Sequence, residues 1–351
     1  MISKLNKIGI GQEYPVFFIA EAGVNHNGSL DIGLKLVEIA AKAGASAVKF
    51  QSFVAENIVT KESPKSSYHI ETTGTSEKQT WYDLLKTQEM SRSMHKSLIK
   101  HCNLHNILFM STPYDEESVD LLRELDVPII KVASTDTSNI PFLRYIAATG
   151  IPTILSSAMA TLQEVSDAIS IFQEAGTEHG ILQCTGNYPA KLSNSNLKVI
   201  HQYRDLFNCP VGYSDHTMEM INPIAATALG ADIYEKHFTV DRGLQGPDHR
   251  MSLLPSELAE TITNIRLTEL ALGDGEKKVV DEEIENRDKL RKSVVSVKSI
   301  FKGQTITPDM LAIKRPAFGI PPKDYQKILY RTALRDIEAD ELITYEMISI
   351  S

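Results

Sequence analysis

Short, mostly apolar runs alternate with segments of helical period along most of the chain. Each run is rich in β-branched or aromatic residues, as in 16–20, and the segment after it repeats its apolar residues every three to four positions, as Leu34, Val37 and Ala41 do. The runs lie at 16–20, 47–50, 107–110, 128–132, 153–155, 180–184, 211–213 and 232–235. Alternation of this kind indicates a parallel sheet, and eight units over about 270 residues favour a closed (β/α)8 TIM barrel.

The pattern changes near Gly273. A charge-dense run follows, and then short β-prone pieces separated by glycine and proline. We therefore predict a barrel domain over 1–275, a linker over 276–292 and a small, mostly β domain over 293–351. So few residues bury little surface, and we expect this small domain to need a neighbour. Within the barrel, residues 52–90 show neither period and are predicted to form a long, functional or mobile loop.

Composition and charge narrow the class of protein. Hydrophobic residues make up 42% and charged residues 23%, as in ordinary globular proteins. The 36 Lys and Arg against 45 Asp and Glu give a net charge of -9 without a basic block, which argues against a nucleic-acid partner. The 3 cysteines are widely spaced, and no apolar run has the length of a membrane span, so we expect a cytoplasmic protein with no membrane partner.

Polar residues with useful chemistry stand where the predicted strands end. In a (β/α)8 barrel the active site forms at the carboxyl ends of the strands. The candidates there are Glu21, Lys49, Gln51, Ser111, Thr112, Lys131, Ser134, Asp136, Ser156, Ser157, Asn187, Tyr188, Ser214, Asp215, His216, Glu235, Lys236 and His237. One polar strand end would mean little, but so complete a set predicts an active site.

Two lysines among these residues favour an anionic substrate. Lys49 and Lys131, with neighbouring hydroxyls and an amide, suit a small phosphorylated carboxylate. Two other interpretations remain open. The lysines could simply pair with Glu21 or Asp136 at the barrel mouth, or one of them could form a Schiff base.

Two histidines end neighbouring predicted strands. His216 and His237 could together hold a divalent cation such as Mn2+, Mg2+ or Co2+. A metal-free, hydrogen-bonded pair fits the spacing equally well, and His26 and His249 in loops are rival ligands. The sequence has no GxGxxG, P-loop or GxSxG motif, which leaves condensation, isomerisation or aldol chemistry.

At these positions the sequence resembles the sialic acid synthase family over essentially its whole length. The resemblance rests on EAGVNHNG at 21–28, VKFQ at 48–51, KVAS at 131–134, QCT at 183–185, GYSDH at 212–216, EKH at 235–237 and GPDH at 246–249. The tail, with KRP at 314–316, is similar to the antifreeze-like (SAF) domain of that family. The resemblance implies a domain-swapped homodimer that condenses phosphoenolpyruvate with an N-acetylated mannose-type sugar and water, giving a nine-carbon 2-keto acid and phosphate.

The resemblance also implies roles for individual residues. His216 and His237 would hold the metal, and phosphoenolpyruvate would be held by Lys49, Thr112, Lys131, Ser134, Ser156, Asn187 and Ser214. The sugar or the water would be faced by Glu21, Gln51, Asp136, Tyr188 and Asp248. Arg315 would come from the small domain of the partner subunit. We add Glu235 as the candidate proton carrier, so that the expected catalytic group is Glu21, Lys49, Asp136 and Glu235.

The choice of sugar depends on a few local differences. Residues 64–74 look more like the bacterial legionaminic or neuraminic branch than like the best-known neuraminate enzymes, and Ser76 stands near the place of a sugar-contacting Asn. The opening EAGVNHN differs from the pseudaminic branch. N-acetylmannosamine and 2,4-diacetamido-2,4,6-trideoxymannose are therefore the candidate sugars. Another phosphoenolpyruvate-dependent aldol synthase and a non-catalytic sugar-binding protein are the alternative functions.

Overall fold

The first part of the chain is a closed barrel of parallel strands. The computed structural model describes residues 3–65, 67–73 and 79–349, and the chain divides into two compact units, Met1–Gly273 and Asp274–Ser351. In the first unit each strand pairs with the next along the chain, and the last pairs back to the first. The strands are β1 (Phe17–Gly23), β2 (Ala47–Ser52), β3 (Leu108–Pro113), β4 (Ile130–Val132), β5 (Thr153–Ser156), β6 (His179–Cys184), β7 (Val211–Asp215) and β8 (Ile233–His237). The predicted (β/α)8 barrel is confirmed.

Helices follow the strands, and several of them begin and end at residues that cap them. They are α1 (Lys4–Ile8), α2 (Leu30–Ala43), α3 (Ala55–Ile58), α4 (Ser67–Thr73), α5 (Trp81–Gln88), α6 (Arg92–Leu104), α7 (Glu116–Glu124), α8 (Ile140–Ala148), α9 (Leu162–Ala175), α10 (Val199–Leu206), α11 (Ile221–Ala228) and α12 (Pro255–Leu272). The Ser29 side chain accepts a hydrogen bond from the Ile32 amide at the start of α2, and Gly44 ends that helix with φ 86°.

The stretch predicted as a long loop contains three short helices instead. Helices α3, α4 and α5 all lie between β2 and α6. A capping box starts α5, because the Thr80 hydroxyl accepts from the Asp83 amide while the Asp83 carboxylate accepts from the Thr80 amide. The prediction was wrong because helices of 4, 7 and 8 residues are too short to show a clear apolar period. Of the stretch 64–74 and Ser76, on which the choice of sugar was based, positions 66, 74 and 76 lie outside the described residues.

Alternation along the strands divides the barrel interior into two layers. Side chains two residues apart point to the same face of a strand, and every second residue therefore points into the barrel. Ile19, Ala47, Met110, Ile154 and Ile233 form an apolar cluster there, together with Leu5 of α1. Two residues further along each of these strands the interior side chain is polar. The lower layer therefore stabilises the barrel, and the upper layer is free to carry chemistry.

The second unit has a hydrophobic core of its own. It contains α13 (Asp281–Leu290), the antiparallel pair β9 (Ser293–Ser296) and β10 (Leu311–Lys314), and α14 (Tyr325–Ile328). Its core consists of Val294, Ile300, Ile306, Met310, Leu311, Ile320, Ile328, Ala333, Ile337, Ile343 and Ile348. This core is larger than the little buried surface that the length of the region led us to expect; its isoleucines occur singly between turns, so no apolar period announces them. Among the helices described in either unit, none combines the length and apolar character that a membrane crossing requires.

Candidate active site

The upper layer of the barrel interior surrounds a deep cavity of about 140 Å³. Its polar residues stand two positions beyond the apolar layer: Glu21 follows Ile19, Lys49 follows Ala47, and Thr112 follows Met110. The predicted site residues that line this cavity are Glu21, Lys49, Gln51, Thr112, Lys131, Ser134, Ser156, Tyr188, Ser214, His216, Glu235 and His237. Most of the residues predicted from the strand ends therefore lie around one cavity.

Buried charges of alternating sign form the floor of this cavity. Lys49 Nζ lies 2.9 Å from Glu21 Oε2 and 3.5 Å from Glu235 Oε2. Lys131 Nζ lies 3.9 Å from Glu235 Oε1, to which the Ser214 hydroxyl also donates at 2.9 Å. Lys49 and Lys131 also donate to the hydroxyls of Thr112 (3.0 Å) and Ser156 (2.5 Å). The lysines are therefore paired with carboxylates, yet each also holds a hydroxyl that faces the cavity.

Burial and neighbouring charges shift the pKa values of this floor in opposite directions. Burial raises the pKa of Glu21 to about 7, although the Lys49 charge opposes the shift. Burial would also raise the pKa of Glu235, but Lys131 and Lys49 outweigh it and lower that pKa. Burial lowers the pKa of Lys131, whereas the carboxylates of Glu21 and Glu235 outweigh burial at Lys49 and raise its pKa. The two carboxyl groups are thus suited to different protonation states near neutral pH.

The two strand-end histidines face one another across the cavity. Their ring centroids are 5.5 Å apart. His216 Nδ1 donates to the Thr185 carbonyl at 2.8 Å, which leaves its Nε2 for another partner. His237 Nδ1 is buried without a hydrogen-bond partner among the described residues and lies 3.8 Å from Asp248 Oδ2. Oriented imidazoles with free nitrogens beside a carboxylate fit a divalent cation.

Protonation distinguishes these two histidines. Burial lowers the pKa of His237 well below its usual value, so this imidazole is neutral, as a metal ligand must be. The pKa of His216 is raised to about 9, because the neighbouring Cys184 sulfur and the Thr185 carbonyl together outweigh burial, which would lower it. A cation at His216 would therefore have to displace a proton.

The rival histidines do not line the cavity. His249 is hydrogen-bonded through both nitrogens, to Thr239 Oγ1 at 2.7 Å and to Asn27 Oδ1 at 3.2 Å. His26 is fully buried, and its Nδ1 accepts from the Gly28 amide at 3.0 Å. A separate cluster of Glu38, His101 and His105 has ligand atoms within 4.8 Å of one another, but it lies on α2 and at the end of α6, away from the strand ends.

A second, outer cavity of about 520 Å³ adjoins the deep one. The two share Gln51, Tyr114, Gly186, Tyr188 and His237. The outer cavity is where the structure places Asn187 and Asp248, and burial raises the pKa of Asp248 to about 6. Asn187 was expected to face phosphoenolpyruvate with the lysines, but it lines only this outer space. The site therefore has a small charged compartment and a larger one beside it.

Of the residues to which the family resemblance gave a role, Asp136 and Arg315 are not among those that line the two described cavities. Asp136 lines neither of them, and its carboxylate accepts hydrogen bonds from Thr135 at 3.3 Å and Asn139 at 3.0 Å instead. Asp136 lies in the 3-10 turn Ser134–Asp136 after β4, where side chains no longer alternate between the two faces of a strand. Arg315 is exposed in the second unit.

Other cavity residues were missed in the sequence. Cys184 lies 3.7 Å from His216 Nδ1, and Tyr114 lines both cavities. Each stands two positions beyond an inward-facing residue, Leu182 and Thr112 respectively, so the alternation of β6 and β3 could have indicated both. Conversely, Asp215 and Lys236 belong to the other face of their strands and pair with each other at 2.6 Å, outside the cavity.

Known proteins match this chain over most of its length. The model of the NeuB family matches residues 36–277, and that of the SAF domain matches residues 291–349. The N,N'-diacetyllegionaminic acid synthase of Campylobacter jejuni is 44% identical over 93% of this chain and 98% of its own. The human N-acetylneuraminate-9-phosphate synthase is 36% identical over 97% of this chain and 94% of its own.

A solved structure shows the same relationship. The N-acetylneuraminic acid (sialic acid) synthetase of Leptospira borgpetersenii, crystallised with citrate, superposes with a TM-score of 0.69 at 36% identity, covering 79% of this chain and 92% of that one. The family model, the sequence identity to the relatives and the superposed structure all point to the same family. The chain therefore belongs to the NeuB family and carries a SAF domain.

Proposed function

We propose that this protein condenses phosphoenolpyruvate with an open-chain N-acetylmannosamine-type sugar and water, releasing phosphate and a nine-carbon 2-keto acid. The observation that carries the proposal is the buried floor of two lysines and two carboxylates beneath two facing histidines. The names of two relatives, N,N'-diacetyllegionaminic acid synthase and N-acetylneuraminate-9-phosphate synthase, support it. Atoms balance if the methylene carbon of phosphoenolpyruvate bonds to the aldehyde carbon, a water oxygen bonds to its second carbon, and the bond from that carbon to the phosphate oxygen breaks.

The deep cavity is suited to phosphoenolpyruvate. Lys49 and Lys131 supply two cations, and Thr112, Ser156 and Ser214 supply hydroxyls around them. Charge-assisted hydrogen bonds of this kind are the strong ones for carboxylate and phosphate groups. Since the pKa of Glu21 is about 7, that carboxyl can take up a proton when the anion enters, which leaves the lysine charges to the substrate.

His216 and His237 would hold a divalent cation, with Mn2+, Mg2+ or Co2+ as candidates. When bound, such a cation supplies Lewis-acid polarisation of the sugar aldehyde. The support is the Nδ1 of His237, which lies beside Asp248 and has no hydrogen-bond partner among the described residues, and the Nε2 of His216, which the bond from Nδ1 to the Thr185 carbonyl leaves for another partner. These residues would also orient the aldehyde end of the sugar toward the deep cavity.

Glu235 is positioned to move the proton of the attacking water. It lies between Lys49 and Lys131, which keep it anionic, and it shares the cavity with the hydroxyl of Ser214. An anionic carboxylate within reach of a water can act as a general base. Glu21, which lies 3.5 Å from Gln51 Nε2, is on the side of the floor that opens to the outer cavity and would face the sugar, as would Tyr188 and Asp248.

We also propose that the protein works as a dimer in which Arg315 completes the partner's site. The support is the exposure of this arginine in the second unit and the family resemblance of the KRP segment. Its planar guanidinium could donate to acetamido or hydroxyl oxygens of the sugar.

A two-sugar assay tests the condensation. Purified protein, phosphoenolpyruvate and Mn2+ are incubated with N-acetylmannosamine or 2,4-diacetamido-2,4,6-trideoxymannose, and phosphate and 2-keto acid are both measured. With at least one of these sugars we expect phosphate and 2-keto acid to form in equal amounts, and we expect chelation to abolish turnover reversibly. We expect no turnover with erythrose 4-phosphate or arabinose 5-phosphate. Turnover with neither N-acetylated sugar would contradict the proposed function, and full activity in excess chelator would contradict the metal.

A further inference from the structure

A cluster of metal-ligating side chains lies on the outside of the barrel, where α2 packs against α6. Its members are Glu38 of α2, His101 in the last turn of α6, and His105, which follows the end of that helix. Each residue offers one ligand atom, and these three atoms all lie within 4.8 Å of one another. Two imidazoles and one carboxylate are a donor set that zinc sites in proteins use.

The end of α6 holds the two histidines in position. They are four positions apart in the sequence, which places both side chains on the same face of the helix end. The backbone fixes this spacing, because the His105 amide donates to the carbonyls of His101 and Cys102, both at 3.1 Å. The two imidazole ring centroids are 4.6 Å apart. The carbonyl groups at the C-terminus of a helix carry partial negative charge, which also favours a cation beside them.

Glu38 adds the third ligand atom from the neighbouring helix. Its Oε1 lies 3.2 Å from His101 Nε2. Two donors that are each about 2 Å from one tetrahedral zinc ion lie about 3.3 Å from each other, so this pair already has the separation that shared coordination requires. The two helices are in close contact as well, since a Cβ on Gly33 of α2 would lie 3.1 Å from Leu98 Cδ2 of α6. The donors of α2 and α6 are therefore held within reach of a single ion.

The cluster lies at the opposite end of the barrel from the candidate active site. Helix α6 ends at Leu104 and β3 begins at Leu108, so this end of the helix lies beside the amino ends of the strands. In (β/α)8 barrels the catalytic groups stand at the carboxyl ends of the strands, whereas residues at the other face contribute to stability. A metal ion in this cluster would therefore join two helices and would take no part in the condensation.

We propose that Glu38, His101 and His105 bind one Zn2+ ion that links α2 to α6, independently of the cation proposed at His216 and His237. Three protein ligands leave one tetrahedral position, which water fills. The ion binds the folded chain, because only folding brings the carboxylate of α2 to the histidines of α6. A ligand of the folded state stabilises that state, so the melting temperature rises with the concentration of Zn2+.

Equilibrium dialysis against Zn2+, after the protein has been stripped with a chelator, tests the ligands. The wild-type isotherm should contain a class of one ion per chain whose Kd rises at least about tenfold in His105→Gln, since loss of a group that merely supports a ligand already costs that much. The matched control is His201→Gln, at an exposed histidine of α10, which should bind Zn2+ as the wild type does. Identical isotherms for the wild type and His105→Gln would overturn the proposal.

Thermal melting with and without Zn2+ tests the link between the helices. Glu38→Gln keeps both histidines and changes an exposed side chain, so it should melt like the wild type without metal but gain less melting temperature from Zn2+. A gain equal to that of the wild type would show that the histidines act without α2 and would overturn the link. A folded His237→Ala protein should keep the wild-type gain, and its loss there would assign the stabilisation to the active site instead.

Discussion

Asp215 and Lys236 form a fully buried ion pair directly beside the two histidines. They are partners in the pairing of β7 with β8, and each precedes one of the histidines by a single position. The Asp215 carboxylate also accepts from the Tyr234 hydroxyl at 2.6 Å and from the Thr217 amide at 2.9 Å. The hydrogen bond from the Thr217 amide fixes the turn after β7, which contains His216. Asp215 therefore positions His216, although neither Asp215 nor Lys236 lines the two described cavities.

Asp215→Asn should therefore be costly. The substitution preserves the shape of the side chain but leaves the Lys236 ammonium buried without a counter-charge, which typically costs roughly 3–5 kcal/mol. We expect the free energy of unfolding, measured in urea, to fall by that order. Glu124→Gln, which removes an exposed partner of Arg92, is the control and should have no measurable effect. Equal stability of the two variants would show that the buried pair contributes nothing.

A buried histidine should make stability depend on pH. Burial lowers the pKa of His26 from 6.5 to about 4, and its Nδ1 must be unprotonated to accept from the Gly28 amide. The unfolded chain therefore binds this proton more readily than the folded one, so its contribution to stability is present above pH 6.5 and is lost as the pH falls toward 4. His26→Gln should flatten the fall in unfolding free energy over this range, whereas exposed His201→Gln should not. Equal slopes in both variants would contradict this assignment.

Single residues also show what the sequence could and could not predict about the site. Glu21, Lys49 and Glu235 were predictable because strand alternation puts them on the inward face above the apolar layer. The same alternation indicates Cys184 and Tyr114, which lie two positions beyond Leu182 and Thr112. Alternation could not place Asp136, because it lies in a short turn after β4, where the period of two no longer holds. Protonation states depend on burial in three dimensions, which no sequence pattern gives.

At the level of elements, the contact between β7 and β8 requires a residue without a side chain. A Cβ on Gly212 would lie 2.0 Å from the Ile233 carbonyl oxygen, which is backbone and cannot move aside. These two strands end in His216 and His237, so their close approach also brings the histidines together. The barrel strands were predictable from apolar runs, but this dependence on one glycine follows only from the packing.

Gly212→Ala should prevent the barrel from closing. We expect the variant to yield little soluble protein and no cooperative unfolding transition. Circular dichroism and thermal melting measure both effects. Gly243→Ala is a suitable control, because its added Cβ would meet only the end of the Asp241 side chain, at 3.3 Å. A Gly212→Ala protein with wild-type melting behaviour would mean that β7 and β8 can separate without cost.

The short helices α3, α4 and α5 after β2 could not be predicted from the apolar period of the sequence. Each of these helices has too few apolar residues to show a period, yet Trp81, Leu84 and Leu85 of α5 line the outer cavity. The capping box at Thr80 and Asp83 was the available signal.

For the whole molecule, the proposed dimer predicts complementation between inactive chains. Arg315→Ala and His237→Ala each remove one part of the proposed site, from different units of the chain. If the arginine acts in the partner, heterodimers contain one site with both residues intact, and mixing the variants should restore part of the activity. The measurement is keto-acid formation after subunit exchange has been demonstrated with tagged chains. A mixture that exchanges subunits and remains inactive would place Arg315 in its own chain's site or in none.

The most direct test of the condensation follows the bridging oxygen of phosphoenolpyruvate. The proposed reaction breaks the bond between carbon and that oxygen, so an isotope label placed there should leave with the phosphate. Mass spectrometry of the released phosphate should show the label in full, with one labelled phosphate for each nine-carbon keto acid formed. Unlabelled phosphate, with the label kept in the organic product, would mean cleavage at phosphorus and would contradict the account of this site.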